Sequence, residues 1–493
     1  MSKYFGIDFG TTTTAFVAYD RHQFDMIGDN EGNPFHSVII LDHLKGEVIH
    51  RGLDAWKKRN QFTVGENNIV VSSVKQAILK DMVWKTIPRL WKPEMVATEI
   101  LVNGVEEIKK RWPKTAFPIR AVMAIPVDFE YDERRKIANA AKAAGIEVDH
   151  FISEPSAAII GWQGDKKNIR NALVFDWGGG TLDVSILRIN KERIVELSKK
   201  GIRLGGDDID EIFARHLHNQ HMKEHENIPH FDGVDPIRKD KILVLSENNK
   251  RILSEQEETD IILPGYCGNT LLQNIIDRNI FVEVIHSKID DVLKTVDSAL
   301  SETSSSETPL SKDDIDIVLM VGGSSNIPIM KKKMDQMFGA RCVFPERPGW
   351  LIARGAAKLA ANPGQHILSK SIGIVLSDNS FLPVIEKGKP IDYQVKSITL
   401  GLVEDSREAR IIIGESDAER ISHEKYRIID SLMMTLPVAG YYFEPIEVNF
   451  LIQKDLSLHI TAMAKFQDET MKVEKIYPHL KFEYNFSQEK NES

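Results

Sequence analysis

The chain has 493 residues, 42% hydrophobic and 27% charged, with a formal net charge of −9. That length exceeds one hydrophobic core, so two or more domains are expected, and the acidic balance argues against a nucleic-acid or anionic-membrane surface as the main partner. No run approaches the roughly 18 apolar residues of a bilayer span, so a soluble cytoplasmic protein is expected.

In chain order, YFGIDFG and TAFVAYD predict two short strands, with no signal-peptide pattern ahead of them. RAVMAIP predicts another strand, followed by the amphipathic helix DERRKIANAAKAAG, which ends at the C-cap glycine Gly145. ALVFDWGGG and VSILRI form a second strand pair, and DIDIVLMVGG a buried strand that passes through a glycine turn into a helix. Residues 1–362 therefore read as one α/β domain. Within it, SETSSSETP (301–309) reads as a solvated loop. Asn362-Pro363-Gly364 marks a boundary, with 363–370 as a linker. Beyond it SIGIVL, FLPVIEK, SITLGLVE, ARIIIGES, IEVNFLI and LSLHITAMAKF predict a separate all-β domain over 371–486, then a disordered tail, 487–493. Cys267 and Cys342 lack metal-ligand spacing and read as free thiols. His218, His221 and His225 recur at i, i+3 and i+7, a spacing that can hold a metal. No second ligand segment accompanies them, and a solvated helix face is the expectation.

Two segments share one pattern. GIDFGTTTTAFVAY and VFDWGGGTLDVSIL each read apolar-x-Asp-x-Gly, then small residues and Thr, then a strand. A hairpin used twice suggests two similar lobes facing each other across a cleft. Glycines let backbone N–H groups approach a phosphate as an anion nest, and Thr11, Thr12, Thr13 and Thr181 add hydroxyls. Asp8 and Asp176, one at each strand end, can hold the water shell of Mg²⁺. Neither a Walker GxxxxGK[ST] nor a GxGxxG fingerprint occurs.

With these motifs in this order, the chain resembles the DnaK-like seventy-kilodalton heat-shock chaperones of the actin-like superfamily. GIDFGTT and VFDWGGGTLDVSIL resemble the two phosphate loops, ISEPSAAIIGW a connecting helix, and LGGDDID a further glycine turn. SENNKRILS resembles a nucleoside-binding helix, and VLMVGGSSNIP the adenosine-side turn. The resemblance implies an actin-like (ribonuclease H-like) two-lobed ATPase domain followed by a β-sandwich, with ATP or ADP and Mg²⁺ as ligands. Gly10, Thr11, Thr12 and Thr13 would cradle phosphates from one lobe, and Gly178, Gly179, Gly180 and Thr181 from the other. Lys75 would orient attack on the γ-phosphate. Asp8, Glu154, Asp176 and Asp183 would arrange the waters of Mg²⁺ and the attacking water. Gly205, Gly206 and Asp207 would border the phosphates. Glu247, Lys250, Arg251 and Ser254 would contact ribose and adenine, opposite Gly322, Gly323, Ser324 and Asn326. Pro126 and Arg134 match residues that couple the nucleotide to the second domain.

The departures are specific. Asn326 stands where the family has a stacking arginine, Gly349 and Asp128 replace an aspartate and an aromatic, and Asp207 replaces a glutamate. The stretch between Lys75 and Pro126 is short for the family. The linker keeps two large aliphatic residues, Ile367 and Leu368, so weak coupling between domains is expected. After Phe486 only SQEKNES remains, too short for the family's helical lid. The resemblance thus implies a lidless ATP-hydrolysing chaperone that binds a polypeptide client or a dedicated protein partner, with co-chaperones, and neither nucleic acid nor membrane. A nucleotide-gated assembly protein and a small-molecule kinase are the other classes.

Overall fold

The structure, a computed structural model, describes residues 3–485 except 21–22, 63–66, 127–128, 130, 165–167, 191–192, 268–269, 306–309, 363–364, 403–406, 424, 437–444, 455, 467–468, 478–479 and 481. Asp128, loop residues 306–309, Pro363-Gly364 and the tail 487–493 lie outside the described residues. The chain divides into two units. The first comprises Met1–Val127, Lys136–Lys191 and Glu196–Ala361; the second comprises Asp128–Arg135, Glu192–Val195 and Asn362–Ser493.

The first unit contains two mixed sheets built on one plan. In one, Ile146–Ser153, Ile119–Ile125, Tyr4–Phe9, Thr13–Asp20 and Gln23–Ile27 lie side by side in that order. In the other, Cys342–Val343, Ile317–Val321, Asn171–Trp177 and Leu182–Asn190 do so. Each sheet centres on an antiparallel hairpin whose first strand is flanked by a parallel neighbour. Asp8 sits opposite Ala124 in one parallel pair, and Asp176 opposite Val321 in the other. The repeat read in the sequence is therefore a repeat of local topology. These strands are nearly continuous in buried apolar residues, as strands covered on both faces must be.

The second unit holds two four-stranded antiparallel sheets. One runs Phe381–Ile385, Ser371–Val375, Glu408–Ser416, Tyr426–Thr435, and the other Lys396–Leu400, Ile446–Ile452, Leu458–Phe466, Glu469–Tyr477. Alternate residues of both, such as Ile374, Ile411, Val448 and Ile460, form one core. The strand Tyr426–Thr435 escapes the sequence reading because Asp430 and Ser431 interrupt its alternation. The segment expected as a linker behaves differently from that expectation. Gln365–Leu368 is a strand, paired antiparallel with Phe482–Asn485, and Leu368 belongs to the second unit's core. Its partner lies more than a hundred positions away, and four residues carry no legible period. Among the described residues no helix is long and apolar enough to cross a membrane.

Within the first unit, the helix Glu154–Gly161 begins with a proline at its first turn and is buried from Pro155 to Gly161. It lies against the helix Pro348–Ala361 at a glycine crossing. A Cβ on Gly355 would stand 1.8 Å from the Ala157 carbonyl oxygen, and one on Gly161 would stand 2.1 Å from that of Leu351. This contact fixes the start of the helix, and with it Glu154. Gly355→Val should therefore force the helices apart and destabilise the protein by about 3 kcal/mol or more, with Gly355→Ala milder. Denaturant midpoints of the two variants check this; an unchanged midpoint for Gly355→Val would contradict the packing.

Candidate nucleotide site

The two hairpin turns face each other across a cavity of about 280 Å³ in the first unit. In the first turn Ser37 takes the Gly10 carbonyl through its hydroxyl (3.0 Å) and the Thr12 carbonyl through its N–H (2.8 Å). Thr11, Thr12 and Thr13 line the cavity. In the second turn Gly178 N–H donates to the Thr181 carbonyl at 2.9 Å, and the Gly178 carbonyl accepts from Gly206 N–H and the Ser324 hydroxyl. Asp207 N–H donates to the Gly179 carbonyl at 2.7 Å, so the LGGDDID turn is sewn onto this loop. The turns come so close that a Cβ on Gly179 would stand 2.2 Å from Thr12 Oγ1. Gly322, at φ +80°, passes where a Cβ would meet the Trp177 carbonyl at 2.4 Å and Asp176 Oδ1 at 2.7 Å. Only glycine fits there.

At the hairpin ends the charges gather. Lys75, from the helix Val74–Lys80, donates to Glu154 Oε1, and both side chains are largely buried. Asp8 and Asp176 lie within electrostatic reach of this pair. Asp183 is held by Lys199 at 3.3 Å. Three carboxylates, Asp8, Glu154 and Asp176, thus surround one ammonium. Burial first, then Glu154 and Asp176, hold the Asp8 carboxyl well above its usual range against the pull of Lys75. Asp176 is pushed up to about 7 by burial, Glu154 and Asp183. Burial alone would lower the Lys75 ammonium, but Glu154 and Asp8 outweigh it and raise its pKa. Fully ionised, the group carries two negative charges in excess. The three side chains form no direct ligand cage, but as hard oxygens of net negative charge they suit a divalent cation such as Mg²⁺ held through its own water shell.

The helix Pro236–Glu255 supplies Glu247, Lys250, Arg251 and Ser254 to the cavity wall. Their partners modify the expected roles. Lys250 Nζ donates to the Gly206 carbonyl at 2.9 Å and to Asp210 at 2.7 Å, which ties this helix to the glycine turn. Glu247 accepts from Arg251 at 2.6 Å and, at 3.4 Å, from Arg59 of the helix Gly52–Phe62. Arg59 covers the ring of Trp56, whose stacking partner is His36. The remaining wall is apolar, from Val321, Ile327, Pro348 and Ile352, with Gly349 beside them. Val321 and Ile327 lie within the VLMVGGSSNIP motif without being singled out there, and Pro348 and Ile352 carry no signal of their own, since apolar residues next to a turn read as core. Gly205 and Asn326 are absent from the wall. Gly205 instead starts the helix Gly206–Glu224, its N–H donating to Asp208 at 2.7 Å.

The histidine stripe expected to be solvated is buried at two of its three positions. His218 bonds Tyr266 at 2.9 Å and the Pro229 carbonyl at 3.0 Å, while His221 bonds Thr270 at 2.9 Å. The sequence hides this because the covering hairpin, Glu258–Pro264 with Leu271–Asp277, comes some forty positions later. Among the described residues no group of three or more His, Cys, Asp or Glu side chains has a metal-binding arrangement.

The raised carboxyls have a measurable cost. Asp176 in the folded protein holds its proton up to about pH 7, whereas an unfolded aspartate releases it near pH 4. The folded state binds more protons across that window, so stability from this group is full below it and lost as pH rises through it. Without nucleotide or magnesium, Asp176→Asn should therefore stabilise the protein at pH 8 by on the order of 1–4 kcal/mol and change little near pH 4. Melting curves at both values check it, and a lower midpoint for the variant at pH 8 would contradict it.

Residues 57–479 match the family model described as Hsp70 protein. That match covers most of the chain, and it agrees with the two mixed sheets, the paired hairpin turns and the acidic cleft described above. The chain belongs to the Hsp70 family, within the actin-like ATPase superfamily.

Proposed function

We propose that the chain binds and hydrolyses ATP in this cleft with Mg²⁺, and that the nucleotide governs lobe closure and the holding of a polypeptide or protein partner by the second unit. Hsp70 proteins bind ATP or ADP with Mg²⁺ and act as ATP-dependent chaperones, with polypeptide clients and co-chaperones. The observation that carries the reading is the pair of glycine turns facing each other over three buried carboxyl groups that share one ammonium.

In this reading Gly10 to Thr13 and Gly178 to Thr181 hold the phosphate chain from both sides through backbone N–H groups and hydroxyls. Mg²⁺, when bound, neutralises phosphate charge, and Asp8 and Asp176 with Glu154 hold its waters. Lys75 meets charge that develops on the transferred phosphoryl group, while Thr181 and Asp183 orient the attacking water. Lys250 positions the glycine turn, and the apolar wall shelters the base from water. The two sheets of the second unit are read as a sandwich that holds an extended segment. A kinase reading gains nothing from the structure.

Two outcomes follow. Lys75→Ala should lower the single-turnover hydrolysis rate by about 10²–10³-fold, while the affinity for ADP changes far less. Hydrolysis at the wild-type rate would remove Lys75 from this role. Extended hydrophobic peptides should stimulate single turnover less than about fivefold, the lower edge of typical coupling, because Leu368 is already packed in the second unit's core. Large stimulation would show that coupling runs by another route.

A further inference from the structure

Outside the cleft, the first unit exposes two apolar patches of opposite charge. The first lies at the end of the helix Val74–Lys80 and on the short hairpin of Trp84–Lys85 with Leu90–Trp91. Its apolar residues are Leu79, Met82, Val83, Ile87 and Leu90, with Ile87 68% exposed. The Ile87 N–H donates to the His43 carbonyl at 2.9 Å, which brings exposed Leu44 alongside. Interspersed are Lys45, Lys80, Lys85 and Lys92, which make no ion pair among the described residues. The acid at the same helix end, Asp81, is paired with Lys136.

The second patch is the outer face of the hairpin Glu258–Pro264 with Leu271–Asp277. Its inner residues, Ile261, Leu272 and Ile276, are core. Its outer residues Ile262, Leu271 and Ile275 are exposed, Ile275 by 66%. Asp260 pairs in register with Ile275, and Glu258 lies two residues before it on the same face of the strand. These two acids make no ion pair among the described residues. Each face thus offers what the other lacks: apolar surface for apolar surface, and anions for cations.

We infer that the first patch of one copy docks on the second patch of another, a head-to-tail contact between copies of this chain. Because the two surfaces differ, the contact does not satisfy itself in a two-fold dimer. It repeats until a ring closes or a filament grows. An anionic membrane is the poorer occupant, since the second patch would be repelled by it while staying uncovered.

Sedimentation of the full-length protein tests this. The mean mass should rise with concentration above that of one chain and fall back when salt reaches ~0.5 M, where screening is strong. Lys85→Glu with Lys92→Glu should leave the protein monomeric, and so should Glu258→Lys with Asp260→Lys. Mixing these two double variants restores complementarity at both contacts, so the mixture should associate. That rescue also shows that both variants are folded. A wild-type chain monomeric at all concentrations would overturn the inference, as would association that neither double variant weakens. Co-sedimentation of a monomeric chain with vesicles of anionic lipid would overturn it in favour of a membrane surface.

Discussion

Three carboxylates packed around one lysine are the constraint on which the rest of the first unit depends. Asp8, Glu154 and Asp176 can be buried together only if something meets their charge, and Lys75 meets one of the three. Protons meet part of the remainder, which is why Asp8 and Asp176 titrate high. A divalent cation answers the same need at neutral pH. The burial of these groups is therefore costly, and in the proposed reading a bound cation offsets that cost. Groups set at such a cost mark functional sites more often than structural ones.

Bringing those carboxylates together demands tight backbone geometry. Asp8 and Asp176 arrive on equivalent strands of two sheets of the same plan, while Glu154 arrives on a helix seated by a glycine crossing. The turns beyond the two aspartates then meet so closely that a side chain at Gly179 would strike Thr12. Lys250 and Ser324, both on the cavity wall, fasten the glycine turns through the Gly206 and Gly178 carbonyls. Removing these donors would loosen the cradle without touching a reacting atom.

Much of this was legible in the sequence because each part of the cradle is a contiguous motif. Asp-x-Gly followed by threonines encodes a strand end, a turn and its hydroxyls within a few positions. Conversely, what depends on distant partners was not legible. Lys250 reads as one charge of a helix stripe until Asp210 and the Gly206 carbonyl stand beside it. His218 and His221 read as solvated until Tyr266 and Thr270 cover them. Gln365–Leu368 reads as a linker because the strand that completes it, Phe482–Asn485, is the last described part of the chain, more than a hundred positions on. Local pattern carries turns and periods; it does not carry which distant element supplies the hydrogen bond.

The central claim is that the buried negative charge serves a divalent cation together with a nucleotide. Calorimetric titration with ADP in excess Mg²⁺ at pH 7, in two buffers of different ionisation enthalpy, tests it most directly. Saturable binding is expected, with protons released as Asp8 and Asp176 lose them to the cation, and with the affinity collapsing when Mg²⁺ is chelated. Binding that releases no protons and is indifferent to Mg²⁺, or no saturable binding at all, would contradict it.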